Sequence, residues 1–162
     1  MRVAITGSTG LIGSELTPRL ESLGHEVIRV VRGNPTGSDI SWSPADGRID
    51  PRALDGVDAV VHLAGAGIGD KRWTDDYKRE LLESRTKGTT LISEAIASAS
   101  DGPKILLSGS AIGIYGARGD EELTEDSAPG DDYLAGVCRE WEAACAPARD
   151  AGIRVVNLRL GV

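Results

Sequence analysis

A short apolar strand that runs directly into three evenly spaced glycines constrains the fold of this chain more than any other feature. The segment Ile5–Gly13 reads Ile-Thr-Gly-Ser-Thr-Gly-Leu-Ile-Gly, with glycines at positions 7, 10 and 13. Arg2–Thr6 is strand-like, and Leu11–Leu23 is helix-like. A strand, a glycine turn and a helix in this order predict the first βαβ unit of a parallel sheet.

Each glycine of this turn is expected to serve a different purpose. Gly7 would allow the tight turn, Gly10 the close approach of a phosphate, and Gly13 the close packing of helix on strand. The amides that open the helix would donate to a pyrophosphate, with the helix dipole behind them. We therefore predict a dinucleotide site that consists of Gly7, Ser8, Thr9, Gly10, Leu11, Ile12 and Gly13. The alternative is a glycine-rich turn without a ligand, because 21 of the 162 residues are glycine.

Apolar runs of strand type alternate with helical patterns along the rest of the chain. The predicted strands are Arg2–Thr6, Glu26–Val31, Ile40–Trp42, Ala59–Leu63, Lys104–Ser108 and Arg154–Leu160. The predicted helices are Leu11–Leu23, Asp75–Ala99 and Tyr133–Asp150. This alternation predicts an α/β fold with a doubly wound parallel sheet of the Rossmann type, in one domain over residues 1–162 that is truncated after about six strands.

The sequence stops at the end of its last predicted strand, where a complete domain usually adds a covering element. We therefore expect it to be the N-terminal part of a longer protein. An isolated part would expose apolar surface along the edge of its crevice, which favours self-association.

Composition argues against several classes of partner. The net charge of −7 and the sequence pI near 4.8 argue against nucleic acid, because phosphate backbones are bound by clustered Lys and Arg. No apolar run reaches the roughly 18 residues of a membrane helix and no export signal precedes the first strand, so we expect a cytoplasmic protein without membrane contact. Cys138 and Cys145 would lie about two helical turns apart, too far for a disulfide. The acidic residues from Asp120 to Asp126 have no His or Cys at ligand spacing, and we predict no metal site.

Two residues near the second predicted strand bear on the choice of nicotinamide cofactor. An acid at the end of this strand would accept from the ribose hydroxyls of NAD(H), and an arginine would meet the 2′-phosphate of NADP(H). Glu26 opens the strand and so lies at the wrong end of the sheet, whereas Arg32 follows its last residue. Arg32 therefore predicts a preference for NADP(H), the alternative being an exposed arginine without a contact.

Small residues follow the fourth predicted strand at the same edge of the sheet. Leu63, Ala64 and Gly65 would leave room for the adenosine ribose and the pyrophosphate, so we include them in the cofactor site. His62 stands inside the apolar strand, where a packed neutral imidazole is favoured over a catalytic one.

Several segments, in this order and at suitable spacing, resemble the extended short-chain dehydrogenase/reductase superfamily. They are Gly7–Gly13, Asp58–Gly65, and Ser108–Ala111 leading to Tyr115–Gly116. Further segments resemble its atypical branch, the nucleoside-diphosphate-sugar epimerase family, namely Lys71–Trp73, Ser84–Arg85 with Gly88–Thr89, Ala111–Gly116, Leu123–Asp126 and Cys138–Glu142. Members of that family are nearly twice as long, which implies that a C-terminal substrate-binding part is absent here.

The resemblance implies catalysis by a Ser or Thr, a Tyr and a Lys, the last two in a Tyr-x-x-x-Lys motif. The Tyr would exchange a proton with the substrate oxygen, the Lys would lower the pKa of that Tyr and hold the nicotinamide ribose, and the Ser would orient the carbonyl. Ser110 matches the serine, with Ser108 as the alternative, and Tyr133 matches the tyrosine by its interval. Four residues after Tyr133 stands Val137 instead of lysine, so we expect Tyr133 to keep a pKa near 10 and to be a poor base at neutral pH.

Two functional hypotheses follow from these residues. The first is an NADP(H)-binding oxidoreductase or epimerase-like enzyme whose substrate, a nucleotide sugar or another carbonyl compound, the sequence leaves open. The second is a catalytically silent NADP(H)-binding sensor or interaction module. The missing lysine favours the module, whereas Ser110 near a strand end favours the enzyme. Tyr133 is equally well interpreted as an aromatic residue that starts a helix, and Tyr115 is expected to line the crevice.

Overall fold

The computed structural model describes residues 1–161 and consists of a seven-stranded sheet with helices on both faces. The strands are β1 (Arg2–Thr6), β2 (Glu26–Val31), β3 (Ile40–Ser43), β4 (Arg48–Ile49), β5 (Ala59–His62), β6 (Ile105–Ala111) and β7 (Arg154–Leu160). The helices are α1 (Leu11–Ser22), α2 (Asp75–Ser98), α3 (Tyr133–Ala143) and α4 (Ala146–Asp150), and short 3-10 turns cover Pro44–Asp46, Pro51–Leu54 and Ile112–Tyr115. The predicted α/β fold of the Rossmann type is therefore present.

The central strands direct their side chains alternately into two hydrophobic cores, as expected for strands that are buried on both faces. Ala4 and Val60 belong to the larger core, to which α2 and α4 contribute. Ile5 and Val61 belong to the second core, against which Leu16 of α1 packs. Successive residues of these strands thus face opposite sides of the sheet, and each side is covered by different helices.

The order of the strands places a crevice at the middle of the sheet. That order is β4-β3-β2-β1-β5-β6-β7, and all neighbouring strands are parallel except β3 and β4. The chain moves from β1 outward to β2 and β3, and it then returns to β5 on the other side of β1. In open α/β sheets, ligands bind at the carboxyl ends of the strands where the order reverses in this way.

Three elements differ from the prediction by more than one residue. β4 pairs antiparallel with β3 and is only two residues long, so its pattern is too short to recognise in a sequence. The predicted helix Tyr133–Asp150 is in fact two helices, because Pro147 in the first turn of α4 has no amide to donate to the carbonyl of Ala143. β6 continues to Ala111, beyond the predicted end at Ser108, because β7 pairs with it over that length.

Both cysteines are buried free thiols. Burial is the main cause that raises the pKa of Cys138 and of Cys145 above the usual value, so both remain protonated near neutral pH. Of the helices within residues 1–161, none combines the length and the apolar character needed to cross a bilayer.

An ion pair fastens the outer strand β7 to α3. Arg159 Nε donates to Glu142 Oε1 at 2.9 Å and Arg159 Nη2 donates to Glu142 Oε2 at 3.1 Å. The Arg159 Nη1 group also donates to the hydroxyl of Tyr115 at 2.7 Å and to the carbonyl of Glu125 at 3.0 Å. Burial works to raise the pKa of Glu142, but hydrogen bonds from Arg159 and Ser110 hold it below its usual value. The carboxylate therefore stays charged inside the protein because its partners are in place.

Replacing Arg159 with Met should lower the free energy of unfolding by about 2–4 kcal/mol, because the mostly buried Glu142 carboxylate loses its charged partner. Urea denaturation at neutral pH measures the loss. Arg154→Met, exposed on the same strand, is the control and should leave the stability almost unchanged. Combining Arg159→Met with Glu142→Leu should recover much of the loss, and a double variant as unstable as the sum of the single variants would contradict the coupling.

Candidate functional site

All of the predicted cofactor-binding residues lie at one edge of the sheet, where the parallel strands end. They are Gly7, Ser8, Thr9, Gly10, Leu11, Ile12, Gly13, Arg32, Leu63, Ala64 and Gly65. The predicted catalytic residues lie toward the β6 side of this edge, Ser110 within β6 and Tyr133 at the start of α3.

The glycine turn between β1 and α1 has a backbone that other residues could not adopt without strain. Gly7 has a φ of +68°, in the left-handed region that favours glycine. A Cβ atom there would lie 2.9 Å from the nitrogen of Ala64 and 2.9 Å from the carbonyl carbon of Leu63. At Gly13 a Cβ atom would lie 2.2 Å from the carbonyl oxygen of Gly7. The tight turn and the close packing of α1 that the sequence predicts are therefore both present.

Gly10 and the first turn of α1 form an open surface with unsatisfied donors. Within 4 Å, a Cβ atom at Gly10 would meet only the carbonyl oxygen of Gly7, at 3.3 Å. The amides of Leu11, Ile12 and Gly13 donate to no acceptor within residues 1–161. The first turn of α1 carries no acidic side chain that could accept hydrogen bonds from these amides. Bare amides at the N-terminus of a 12-residue helix attract an anion, and a pyrophosphate fits this geometry.

A buried hydrogen-bond network holds the segment after β5 against the turn. Thr6 Oγ1 accepts from the amides of Leu63 at 3.1 Å and Ala64 at 3.2 Å, and it lies 2.7 Å from His62 Nδ1. Because the two amides occupy both lone pairs of this hydroxyl, its proton is donated to Nδ1, and His62 carries its own proton on Nε2. Thr6 therefore fixes the position of both walls of the crevice.

His62 is a neutral, packed residue, as the sequence predicts. It is fully buried, and its ring contacts Trp42 edge to face with 5.8 Å between the ring centroids. Burial lowers the pKa of His62 to about 4, so the imidazole is uncharged near neutral pH. Its Nε2 atom has no hydrogen-bond partner within residues 1–161.

Arg32 lies at the same edge as the glycine turn. β2 pairs with β1 in a register that sets Val30 opposite Thr6, so Arg32 stands just beyond the point where β1 enters the turn. Its side chain is exposed, and it makes no ion pair or side-chain hydrogen bond to the rest of the described chain. Glu26 lies at the opposite edge, paired with Arg2 at 3.1 Å. The placement matches the prediction, and the contact of Arg32 with a 2′-phosphate stays a prediction.

Ser110 supports the ion pair between α3 and β7. Its side chain is 2% exposed, and its hydroxyl donates to Glu142 Oε1 at 2.7 Å, the same oxygen that Arg159 binds. The alternative serine, Ser108, is fully buried. Tyr115 is 7% exposed and packs into a small core while its hydroxyl accepts from Arg159, and its place at the crevice stays a prediction.

Tyr133 starts α3 and its hydroxyl is already engaged. The hydroxyl donates to the carbonyl oxygen of Lys78 at 2.7 Å, and the ring contacts Trp73 edge to face at 5.8 Å. Burial raises the pKa of Tyr133 above 10, an effect that the charge of Arg85 only partly offsets. At neutral pH, even less of this side chain is deprotonated than in a free tyrosine, so it is less available as a general base than the sequence predicts.

Sequence reasoning assigned no role to three residues that shape the site. Thr6 could have been found because it is the last strand residue before the glycine turn. Arg85 could have been found because it is a charged residue on a helix face whose neighbours, Leu81 and Gly88, are buried. Nothing in the sequence indicates that Glu142 of α3 pairs with Arg159 of β7.

Acidification from pH 7 to pH 5 should lower the free energy of unfolding by about 2 kcal/mol because of the buried His62. The unfolded chain takes up this proton near pH 6.5, whereas the folded protein resists until about pH 4, so the free energy of unfolding falls as the pH falls across this window. Urea denaturation over a pH series measures it. His62→Gln should remove most of the dependence, while the partly exposed His25→Gln should preserve it; the reverse pattern would disprove the assignment.

Gly13→Ala should lower the free energy of unfolding by about 2 kcal/mol or more, because the added carbon overlaps the carbonyl oxygen of Gly7. Gly10→Ala is the matched control, since its added carbon meets the same oxygen at 3.3 Å. Its cost should be about 1 kcal/mol or less. Thermal or urea denaturation compares the two, and equal losses would contradict the close packing at Gly13.

The family model and the curated relatives that match this chain all belong to epimerase families. A family model described as the NAD dependent epimerase/dehydratase family matches residues 3–162. An epimerase family protein of Mycobacterium tuberculosis is 44% identical over 161 residues, which cover 99% of this chain and 53% of that protein. The human epimerase family protein SDR39U1 is 35% identical over 165 residues, which cover 100% of this chain and 54% of that protein. The chain thus spans about half the length of the curated relatives it matches.

Solved structures agree with this family. The nucleoside-diphosphate sugar epimerase of Corynebacterium glutamicum superposes with a TM-score of 0.88 at 46% identity, covering 100% of this chain and 34% of that chain. Human SDR39U1 (isoform 2), solved with NADPH, superposes with a TM-score of 0.86 at 36% identity, covering 100% of this chain and 54% of that chain. MoeE5, solved with UDP-glucose and NAD, superposes with a TM-score of 0.78 at 26% identity, covering 98% of this chain and 54% of that chain. The Rossmann-type fold is confirmed, and the chain belongs to the NAD dependent epimerase/dehydratase family.

Proposed function

We propose that this chain is the NADP(H)-binding part of an epimerase/dehydratase protein. The observation that carries the proposal is the open surface at Gly10 beneath three unsatisfied helix amides. Arg32, exposed at the same edge, offers a forked cation for a 2′-phosphate, a group that NAD(H) lacks. The relative solved with NADPH, human SDR39U1, supports this choice, although MoeE5 was solved with NAD.

The proposed cofactor extends across the carboxyl ends of β2, β1 and β5. Its pyrophosphate would accept from the amides of Leu11, Ile12 and Gly13, and its adenosine half would lie toward Arg32. The segment Leu63–Gly65, held by Thr6, would form the second wall. When bound, a nicotinamide cofactor supplies hydride transfer to or from a substrate carbon.

For the reaction, we propose oxidation or reduction at a hydroxyl or carbonyl carbon of a small substrate. The Corynebacterium glutamicum relative is a nucleoside-diphosphate sugar epimerase, which supports a nucleotide sugar as the substrate class. Ser110 is the proposed residue that orients the substrate oxygen, and Tyr133 is the proposed proton carrier. Both hydroxyls must exchange their present acceptors for substrate before they can act.

A second candidate function is a nucleotide-binding module without chemistry. The hydrogen bond from Tyr133 to the carbonyl of Lys78 favours it, together with Val137 in place of a lysine. The two candidates share the cofactor site and differ only in turnover. Reductase assays with NADPH on a panel of carbonyl compounds, using a chain extended past Val162, distinguish them.

The wild-type chain should bind NADPH at least tenfold more tightly than NADH, and Arg32→Asp should reverse that ratio, because it exchanges the cation for a carboxylate that accepts from ribose hydroxyls. Nicotinamide fluorescence titration measures both affinities. Arg19→Asp makes the same charge change near the far end of α1 and should leave the ratio unaltered.

Gly10→Ala locates the binding within the same titration. It should keep the fold but weaken both cofactors, because the added carbon occupies the approach of the pyrophosphate. Failure of the wild-type chain to bind either cofactor would overturn the proposed function. A ratio that Arg32→Asp leaves unchanged would remove Arg32 from the site.

A further inference from the structure

Arg85 of α2 lies beside the carboxyl end of β5. A Cβ atom placed on Gly65 would lie 3.5 Å from Arg85 Cγ, 3.7 Å from Arg85 Cζ and 3.8 Å from Arg85 Nη1. Gly65 belongs to the segment that Thr6 holds against the glycine turn. The guanidinium therefore borders the same crevice as the amides of α1.

The charge of Arg85 has no carboxylate partner among residues 1–161. Its hydrogen bond within residues 1–161 is the one that Nη1 donates to the carbonyl of Leu81 at 3.0 Å. The titratable groups close enough to influence its pKa are a thiol and two phenols, those of Cys138, Tyr133 and Tyr77, and none of them is a carboxylate. Burial lowers the pKa of Arg85 below its ordinary value, as expected for a cation without a counter-ion. A half-buried guanidinium is costly in this state unless a ligand supplies acceptors.

Stacking leaves the edge of this guanidinium free for a ligand. Its Cζ atom lies 5.0 Å from the centroid of the Trp141 ring, so the indole is a platform for the cation. The donors of an arginine lie in the plane of the group, and only one of the five N–H bonds is used by Leu81. The remaining donors form a fork that suits two neighbouring oxygens, such as a ribose diol.

Arg85 and Arg32 lie on opposite sides of the glycine turn. The strands run in the order β2, β1, β5 and β6; Arg32 follows β2, whereas Arg85 lies beside the end of β5. A dinucleotide whose pyrophosphate lies at the turn and whose adenosine half points to Arg32 directs its nicotinamide half toward Arg85. Val137, where a lysine is missing, lies on the neighbouring helix α3 and is 6% exposed.

We propose that Arg85 binds the hydroxyl oxygens of the nicotinamide ribose and so supplies from α2 the cation that α3 lacks. The assignment rests on the proposed NADP(H) function. It makes Arg85 a cofactor-binding residue at the reactive end of the crevice, whereas Arg32 selects the cofactor at the other end.

Three ligands of increasing length test this assignment in the present chain. They are 2′-phospho-ADP, which lacks the second ribose, 2′-phospho-ADP-ribose, which lacks only the nicotinamide ring, and NADPH. Arg85→Met keeps the stem and removes the donors, so calorimetric titration should show at least a tenfold loss of affinity for the two longer ligands and an unchanged affinity for the shortest. Arg85→Lys should lose less, and Lys87→Met, exposed on the same helix, should lose nothing.

Each other outcome overturns the assignment in a recognisable way. Equal affinities of Arg85→Met and wild type for all three ligands would remove Arg85 from the cofactor site. A loss for NADPH alone would move the contact to the nicotinamide ring, and an equal loss for all three would indicate a structural role, as would a lowered melting temperature shared with Arg85→Lys. If wild type binds none of the three ligands, the proposed function fails and this assignment fails with it.

Discussion

The site depends on how closely the backbone of the β1–α1 turn approaches its neighbours. Side-chain carbons at Gly7 and Gly13 would lie 2.9 Å and 2.2 Å from backbone atoms, so neither position tolerates one. Because the turn is this tight, α1 begins only four residues after β1, and its first amides, which find no acceptor within residues 1–161, lie at this edge of the sheet. Thr6 then bonds the amides of Leu63 and Ala64, so one strand end positions both walls.

Three arginines near the carboxyl edge of the sheet differ in whether the protein itself supplies a carboxylate partner. Arg159 donates hydrogen bonds to Glu142 and Tyr115, and the Glu142 carboxylate also accepts from the Ser110 hydroxyl. Arg32 and Arg85, at the two sides of the glycine turn, have no carboxylate partner among residues 1–161. Since an unpaired cation at a crevice is stabilised when an anion or polar ligand binds, these two arginines are the ones to which the proposals above assign cofactor contacts.

Local patterns account for the parts of the fold that the sequence predicts well. Alternating apolar residues and the glycine spacing are properties of short segments, so six of the strands and the turn geometry could be predicted. The errors occur where an element depends on pairing with a strand elsewhere in the chain. β4 forms by pairing with the edge of β3, and β6 reaches Ala111 because β7 pairs with it. The hydrogen bond between Arg159 and the Tyr115 hydroxyl likewise joins residues far apart in the chain, so no local pattern predicts it.

Sequence patterns were enough to predict six of the seven strands, the position of the glycine turn and the end of the sheet at which Arg32 stands. These follow from periodicity, from the conformational freedom of glycine and from the direction of parallel strands. Which polar groups are already engaged became known from the folded protein: Ser110 bonds to Glu142, Tyr133 bonds to the carbonyl of Lys78, and Arg85 bonds to a single carbonyl and contacts an indole face. The physical reason is that hydrogen bonds and ion pairs join residues far apart in the chain, so whether a donor is satisfied is a property of the folded protein and is absent from any local pattern.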